Sequence, residues 1–342
     1  MLDQTLRPMS TSQVLDRTFF LYRKNFVLFA GIALITPVLT ILISLLQLWW
    51  FGLPVAPDPQ KMDPTTLQHV FRDMFARFAV GGILAMTVVV AGYAVASGAT
   101  SYAVSMLHLG KSTSINESYA RMKPIFWRVL GVIVSIFFIA VGPMVLLYFL
   151  FFMMAIGVAA TAATAGGGAG AGAGSTPFLI GFAIAMLIFV AGLIGAAIWG
   201  VYAYCKYGLA VPACTIENLP VRYSLIRSKF LTKGSKGRMF LVYLLAVLIT
   251  IGLKLVLEIP AISSSGLFLK PGMHQNAFSF IWLNLSDFAG SLLASPIAAI
   301  AISLLYYDER VRKEAFDLQV MMENVGQAPP VESASSAAPS LG

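Results

Sequence analysis

Six apolar runs constrain this chain more than anything else in it. They cover about 27–51, 80–107, 128–158, 177–204, 239–258 and 280–306. A helix that crosses the hydrocarbon core needs about 20 consecutive apolar residues, and each run reaches that length. Hydrocarbon offers no partner to backbone N–H and C=O groups, so a crossing segment satisfies them as a helix or within a closed barrel. Barrel strands alternate apolar and polar residues over about 10 positions. These runs do not. The expected fold is therefore an all-α membrane protein with six transmembrane helices. Its 11% of charged residues compares with about 25% in soluble domains. Pro37 and Pro143 fall within two long runs and predict kinks.

Charge predicts orientation. With six crossings, the N-terminus, the second and fourth loops and the C-terminal tail share one side. Eighteen of the 23 Lys and Arg residues lie there. Lys61, Arg72, Arg77 and Lys270 lie on the other side, and Lys254 lies inside a run. Cytoplasmic loops collect Lys and Arg, so both termini are expected in the cytoplasm. The net charge of +8 then reads as an orientation signal and an attraction to anionic headgroups. No basic soluble domain exists to carry a nucleic-acid footprint. Residues 1–325 read as one membrane domain, and 326–342, ending "SASSAAPSLG", as a disordered cytoplasmic tail. The first run is too long for a secretory leader and no small-residue cleavage site follows it, so residues 6–26 are expected to stay with the chain.

A surface-helix pattern precedes alternate runs. At 100° per residue, Leu15, Phe19, Tyr22 and Phe26 fall within an arc of about 60°, with Arg23 beside it. The template recurs at Ile115, Tyr119, Met122 and Phe126 with Lys123, and at Leu219, Tyr223, Ile226 and Phe230 with Arg227. This spacing predicts three parallel two-span repeats, each opened by an amphipathic interfacial helix. Pro124 should break the second such helix near its end, while Pro220 suits the first turn of the third. A fourth copy fits Val311, Ala315, Leu318 and Met322, with Gln319 in place of the cation. Two fates are open for the apolar arcs. They can lie at the acyl boundary with Arg23, Lys123 and Arg227 reaching lipid headgroups, or they can pack on neighbouring spans.

The loops carry little chemistry. The first outer loop, about 52–79, starts extended at "GLPVAPDPQKMDP" and continues as a short amphipathic helix, "TTLQHVFRDMFARF". The second contains "GGGAGAGAGS", a flexible linker without the Lys-Ser/Thr ending of a phosphate loop. Cys205 and Cys214 match no metal or redox spacing, and His69, His108 and His274 are scattered. No metal, no cofactor and no nucleophile–base pair is expected, hence no enzyme. Small residues at Gly92, Ala96 and Thr100, and at Gly192, Ala196 and Gly200, predict close helix contact.

Three ionisable residues interrupt the apolar runs: Lys254, Glu258 and Asp287. Such residues are functional candidates by default. Lys254 and Glu258 share one helix face, and Asp287 falls at a similar depth. A substrate or proton site and a structural ion pair, Lys254 with Asp287 or Glu258, both fit.

Two stretches, "LRPMSTSQVLDRTFFLYRKNF" before the first run and "PIAAIAISLLYYDERVRKEAFDLQVMMENV" at the end of the sixth, resemble a bacterial integral-membrane family. It includes the membrane domain attached to some glycerophosphoryl diester phosphodiesterases, and stand-alone relatives. The resemblance spans roughly residues 6–325. It implies a polytopic helical domain in the bacterial cytoplasmic membrane. It does not imply phosphodiesterase activity, because in the fused proteins that chemistry belongs to a separate soluble barrel domain, for which this chain has no room.

Three functions stay open. One is a non-enzymatic module binding membrane lipids or other membrane proteins at the cytoplasmic face. The second is a transporter or channel with a polar site at Lys254, Glu258 and Asp287. The third, a membrane-embedded lipid enzyme, needs a nucleophile–base pair or a metal cluster, and the residues offer neither.

Overall fold

The computed structural model describes residues 9–52, 81–164, 176–264 and 277–314. The outer-loop helix expected before residue 79, the glycine-rich linker, the tail 326–342 and most of the fourth surface-helix copy lie outside the described residues. Among those described, no strand occurs. Six segments are long and apolar enough to cross a membrane: Phe26–Phe51, Ile83–His108, Ile115–Met154, Ala183–Ile216, Lys236–Pro260 and Phe280–Glu314. The chain is thus built as a multi-pass integral membrane protein.

In chain order the helices are α1 Thr11–Lys24, α2 Phe26–Ala33, α3 Ile35–Phe51, α4 Ile83–His108, α5 Ile115–Met122, α6 Phe126–Thr164, α7 Thr176–Tyr207, α8 Ala210–Ile216, α9 Val221–Leu231, α10 Lys236–Ser264 and α11 Ala277–Glu314. A 3₁₀ turn, Lys123–Ile125, joins α5 to α6 and contains Pro124. The first crossing is interrupted at Leu34, between α2 and α3. Pro37 has no N–H to give the Ala33 carbonyl four residues back, and the helix breaks there. Pro143, Pro260 and Pro296 sit inside unbroken helices. Donors from neighbouring helices serve the carbonyls near each. Trp199 Nε1 donates to Ile139 O at 2.9 Å, Trp282 Nε1 and Ser286 Oγ to Leu257 O at 2.9 and 2.8 Å, and Tyr22 Oη to Leu293 O at 2.9 Å. A proline is tolerated in a spanning helix when such donors meet the backbone groups it frees.

The three helices that precede the first, third and fifth crossings share a burial pattern. Their buried positions are Val14, Thr18 and Leu21; Ser118, Met122 and Ile125; and Ser224, Ser228 and Leu231. Each set is spaced by four and then three residues, a helical stripe. Each helix follows an extended N-cap, Ser10, Ser114 or Pro220. Ser10 and Ser114 cap with their hydroxyls, which accept from the N–H groups of Gln13 and Glu117. Seven residues beyond each cap stands an arginine: Arg17, Arg121 and Arg227. This register differs from the one read from aromatic positions, which aligned Arg23, Lys123 and Arg227. The reason is physical. In an apolar chain, lipid-facing and protein-facing residues have the same hydropathy, so aromatic spacing alone does not say which stripe is inside.

The inward stripes of α5 and α9 dock on glycines. A Cβ at Gly31 would overlap Ile115 Cδ1, one at Gly98 would overlap Met122 Sδ, and one at Gly131 would lie 2.9 Å from Val221 Cγ2. Hydroxyl side chains on the inward stripes of α1 and α5 close on their own helix: Thr18 Oγ1 donates to Val14 O at 2.7 Å and Ser118 Oγ to Ser114 O at 2.9 Å. Small-residue faces also meet as expected. Gly92 of α4 faces Leu39 and Thr36 of α3, and Gly200 of α7 approaches the Ala140 carbonyl of α6. α11 packs against α10 along the crossing and against α1, α2, α3, α4, α8 and α9. Leu304 to Glu309, just before its last turn, are all buried.

Candidate functional site

The end of the bundle that carries Met9, α1, α5, α9 and the end of α11 holds most of the polar chemistry. Two layers can be distinguished: an internal set of ion pairs, and an outer surface of aromatic and cationic side chains.

The internal layer is organised by "YYDERVRKE", residues 306–314. Asp308 and Glu309 are fully buried. Asp308 accepts from Arg312 Nε at 2.8 Å, from the Met9 N–H at 2.5 Å and from Arg238. Arg238 and Arg312 both return to the Met9 carbonyl, at 2.7 and 2.6 Å. The segment before α1 is thereby clamped between α10 and α11. A second group centres on Arg227 of α9. It donates to Glu217 at 2.9–3.1 Å and to Glu314 Oε2 at 2.7 Å. Glu217 also accepts from Tyr306 Oη, and Glu314 accepts from Arg310 Nε at 3.2 Å. The Glu314 hydrogen bond, with Glu217 adding to it and burial opposing, raises Arg227 above its already high ordinary pKa. Lys313 Nζ reaches the carbonyls of Leu231 and Lys233, the latter at 2.7 Å, and so caps the end of α9. Asn218, in the left-handed region at φ 54°, turns the chain into α9, and Arg128 holds it by the carbonyl and side-chain oxygens at 3.2 and 3.0 Å. A buried ion network of this kind costs desolvation and fixes geometry. Taking away one member leaves an unmatched charge.

The outer layer is what the inward stripes leave over. On α1, Phe19 and Phe20 are exposed, and Phe20 lies between Arg17 and Lys24, whose charged atoms are 5.8 and 5.9 Å from its ring centre. Trp127, at the start of α6, is 77% exposed. On α9, Tyr223, Ile226 and Phe230 are exposed beside Arg222 and Lys229. The predicted arcs thus have different fates. The third faces outward. The second packs inward, with Met122 buried and Tyr119 Oη donating to Ile32 O at 2.7 Å. The first is split, Phe19 and Phe26 being exposed and Leu15 and Tyr22 partly buried. Of the three predicted headgroup cations, Arg23 and Lys123 are exposed, while Arg227 is turned to carboxylates.

At the opposite depth, Lys254 Nζ lies 2.5 Å from Asp287 Oδ1, both side chains being about one-third exposed. The Lys254 stem packs over Gly290, where a Cβ would lie 3.0 Å from its Cγ. Glu258 is partly buried and has no hydrogen-bond or ion-pair partner among the described residues. The structure therefore brings together two of the three intramembrane candidates. Cys205 and Cys214 are buried free thiols. His108 is buried, its ring 5.0 Å from that of Tyr307 and its Nδ1 unpartnered. His69 and His274 lie outside the described residues. Among those described, no three His, Cys, Asp or Glu side chains gather as metal ligands would.

Nothing in the sequence marks Asp308 and Glu309 as buried, since a helix leaving a membrane usually ends in solvated charge. One signal of pairing was present: Asp308 with Arg312, Glu309 with Lys313 and Arg310 with Glu314 are opposite charges four residues apart. Comparison of the chain with family models, curated proteins and solved structures finds no match.

Proposed function

We propose that this protein is a non-enzymatic, lipid-binding module of the bacterial cytoplasmic membrane, with both termini in the cytoplasm. In this reading the outward sides of α1 and α9 form its working surface, and the burial pattern shared by the three pre-span helices marks three parallel two-span units. One observation carries the reading. Where α1 and α9 turn a buried stripe inward, the opposite side presents exposed aromatic residues next to cations that have no carboxylate partner among the described residues, Phe20 with Arg17 and Lys24, and Phe230 with Lys229. An amphipathic helix of this make lies with its aromatic side at the acyl boundary and its cations on phosphates. Trp127 at this end and the exposed Trp49 and Trp50 at the far end of α3 stand where interfacial aromatic belts stand.

Site-directed spin labelling tests it. Cys205 and Cys214 are buried, so a nitroxide attaches selectively at Phe20→Cys or Phe230→Cys. In phosphatidylglycerol-containing nanodiscs, both labels should collide with oxygen dissolved in the bilayer more than with a water-soluble nickel chelate. The reverse order at both positions would overturn the reading.

A second reading, passage of a solute or proton along Lys254, Glu258 and Asp287, is favoured by Glu258, which has no partner among the described residues. Flux into proteoliposomes that is lost in Glu258→Gln would support it over the first.

A further inference from the structure

A cavity of about 370 Å³ lies between α6, α7 and α10. Its lining includes Ala140 and Met144 of α6, Ala197 and Gly200 of α7, and Phe240 and Tyr243 of α10. Ala140 of α6 and Ala196, Ala197 and Gly200 of α7 leave room for it. Gly200 brings α7 close to the Ala140 carbonyl, and α10 does not fill the space that remains. The Tyr204 and Tyr243 rings, 4.1 Å apart, contribute to its wall. Val201, Leu244 and Val247 also line it and are exposed, so it opens sideways, toward the acyl chains of a bilayer.

Three lysines converge one turn beyond its end. Lys206 follows the lining residue Cys205, and Lys236 precedes the lining residue Phe240 by four positions, about 6 Å along a helix. Lys236 Nζ is 3.0 Å from Tyr202 Oη and 4.6 Å from the centre of that ring. Lys206 Nζ is 5.7 Å from the same ring centre, and Lys229 is brought alongside by its neighbour Ser228, whose hydroxyl donates to the Lys206 carbonyl at 3.0 Å. None of the three has a carboxylate partner among the described residues, although Arg227, Arg238, Arg310, Arg312 and Lys313 nearby all do. Lys236 also opens α10, at the positive end of that helix. Like charges gathered without an anion repel one another, and a phosphate at this point removes the repulsion.

We infer that the cleft between α6, α7 and α10 is a specific site for one anionic phospholipid. An acyl chain occupies the cavity, and the headgroup phosphate sits among Lys206, Lys229, Lys236 and the Tyr202 hydroxyl. This rests on the lipid-binding reading above and narrows it to one lipid class at one place. An apolar cavity open to the bilayer selects a chain, and the unmatched lysines at its headgroup end select negative charge. A free phosphate would leave the cavity empty, and a zwitterionic lipid would leave the lysines uncompensated.

Native mass spectrometry of the full chain, released from nanodiscs of phosphatidylcholine and phosphatidylglycerol, tests the inference. The wild type should retain one phosphatidylglycerol in preference to phosphatidylcholine. Replacing the three lysines together (K206Q, K229Q and K236Q) should reduce that preference about tenfold or more, because each cation near an anionic headgroup contributes. Ala197→Phe, which fills the cavity from its exposed side, should lower retention of both lipids. Lys111→Gln, an exposed lysine elsewhere, should change nothing. Gel filtration and circular dichroism establish that each variant folds, and the two routes, charge and volume, guard against one of them failing to do so. Unchanged retention in the lysine variant or in the filled variant overturns the site. If retention is unchanged while the labels at positions 20 and 230 still report the bilayer, only the specific site falls. If those labels report water, the broader lipid reading falls with it.

Discussion

The indole N–H of Trp199 donates at 2.9 Å to the carbonyl of Ile139, the group that Pro143, four residues further on, cannot serve. A gap in one crossing is closed by a side chain from the next. Loss of that donor strands a carbonyl within the span, which costs about 1–3 kcal/mol. Trp199→Phe should therefore lower the thermal midpoint in nanodiscs, and adding Pro143→Ala, which restores the missing N–H, should recover part of the loss. A double variant whose effects simply add would show that the two residues are not coupled in this way.

Asp308 joins α11, α10 and the segment before α1 through Arg312, Arg238 and the Met9 backbone. Its removal leaves two guanidinium groups without their shared anion. Asp308→Ala should destabilise the protein by about 3–5 kcal/mol. Limited proteolysis should then cut near residue 9 well before the bundle itself is attacked. Equal protection of that segment in the variant would contradict the clamp.

Met122 lies on Gly98 so closely that a Cβ there would overlap its sulfur. The overlapping atoms are the flexible end of a methionine, so Gly98→Ala should be tolerated at a cost of about 1 kcal/mol. Gly98→Leu should displace α5 and cost about 1–3 kcal/mol or more. Combining Gly98→Leu with Met122→Ala should return most of that stability, as read from denaturation in detergent of the single and double variants.

Lys254 and Asp287 tolerate their depth by pairing. Because both are about one-third exposed, the effect of breaking the pair belongs at the low end of the range for charges in spans. Lys254→Met alone should cost roughly 2 kcal/mol, and Lys254→Met with Asp287→Leu nearly nothing. Equal stability of the single and double variants would exclude a structural role for the pair and direct attention to transport.

The sequence allowed Lys254 to pair with either Glu258 or Asp287, one on its own helix face and one across a helix boundary. Only packing of α10 on α11 decides for Asp287. The same holds for Arg227. Its place beside a pre-span helix was legible from charge and periodicity, but its turn toward Glu217 and Glu314 was not. Those partners stand ten and 87 residues away in the chain. Likewise, helical spacing predicted helices before three crossings without telling which stripe packs inward, and Ile115 and Met122 sit against Gly31 and Gly98.

What the sequence by itself determined is the number and kind of crossings, because hydrocarbon cannot solvate peptide groups and any apolar run of sufficient length must satisfy its own backbone. That rule acts residue by residue along the chain and needs no knowledge of neighbours. Which charges are matched, which aromatic side chains point outward and which small residues leave a cavity were decided only by the tertiary structure. Ion pairing and close packing act over a few ångströms, and the groups they join here come from opposite ends of the chain, as Met9 and Asp308 do.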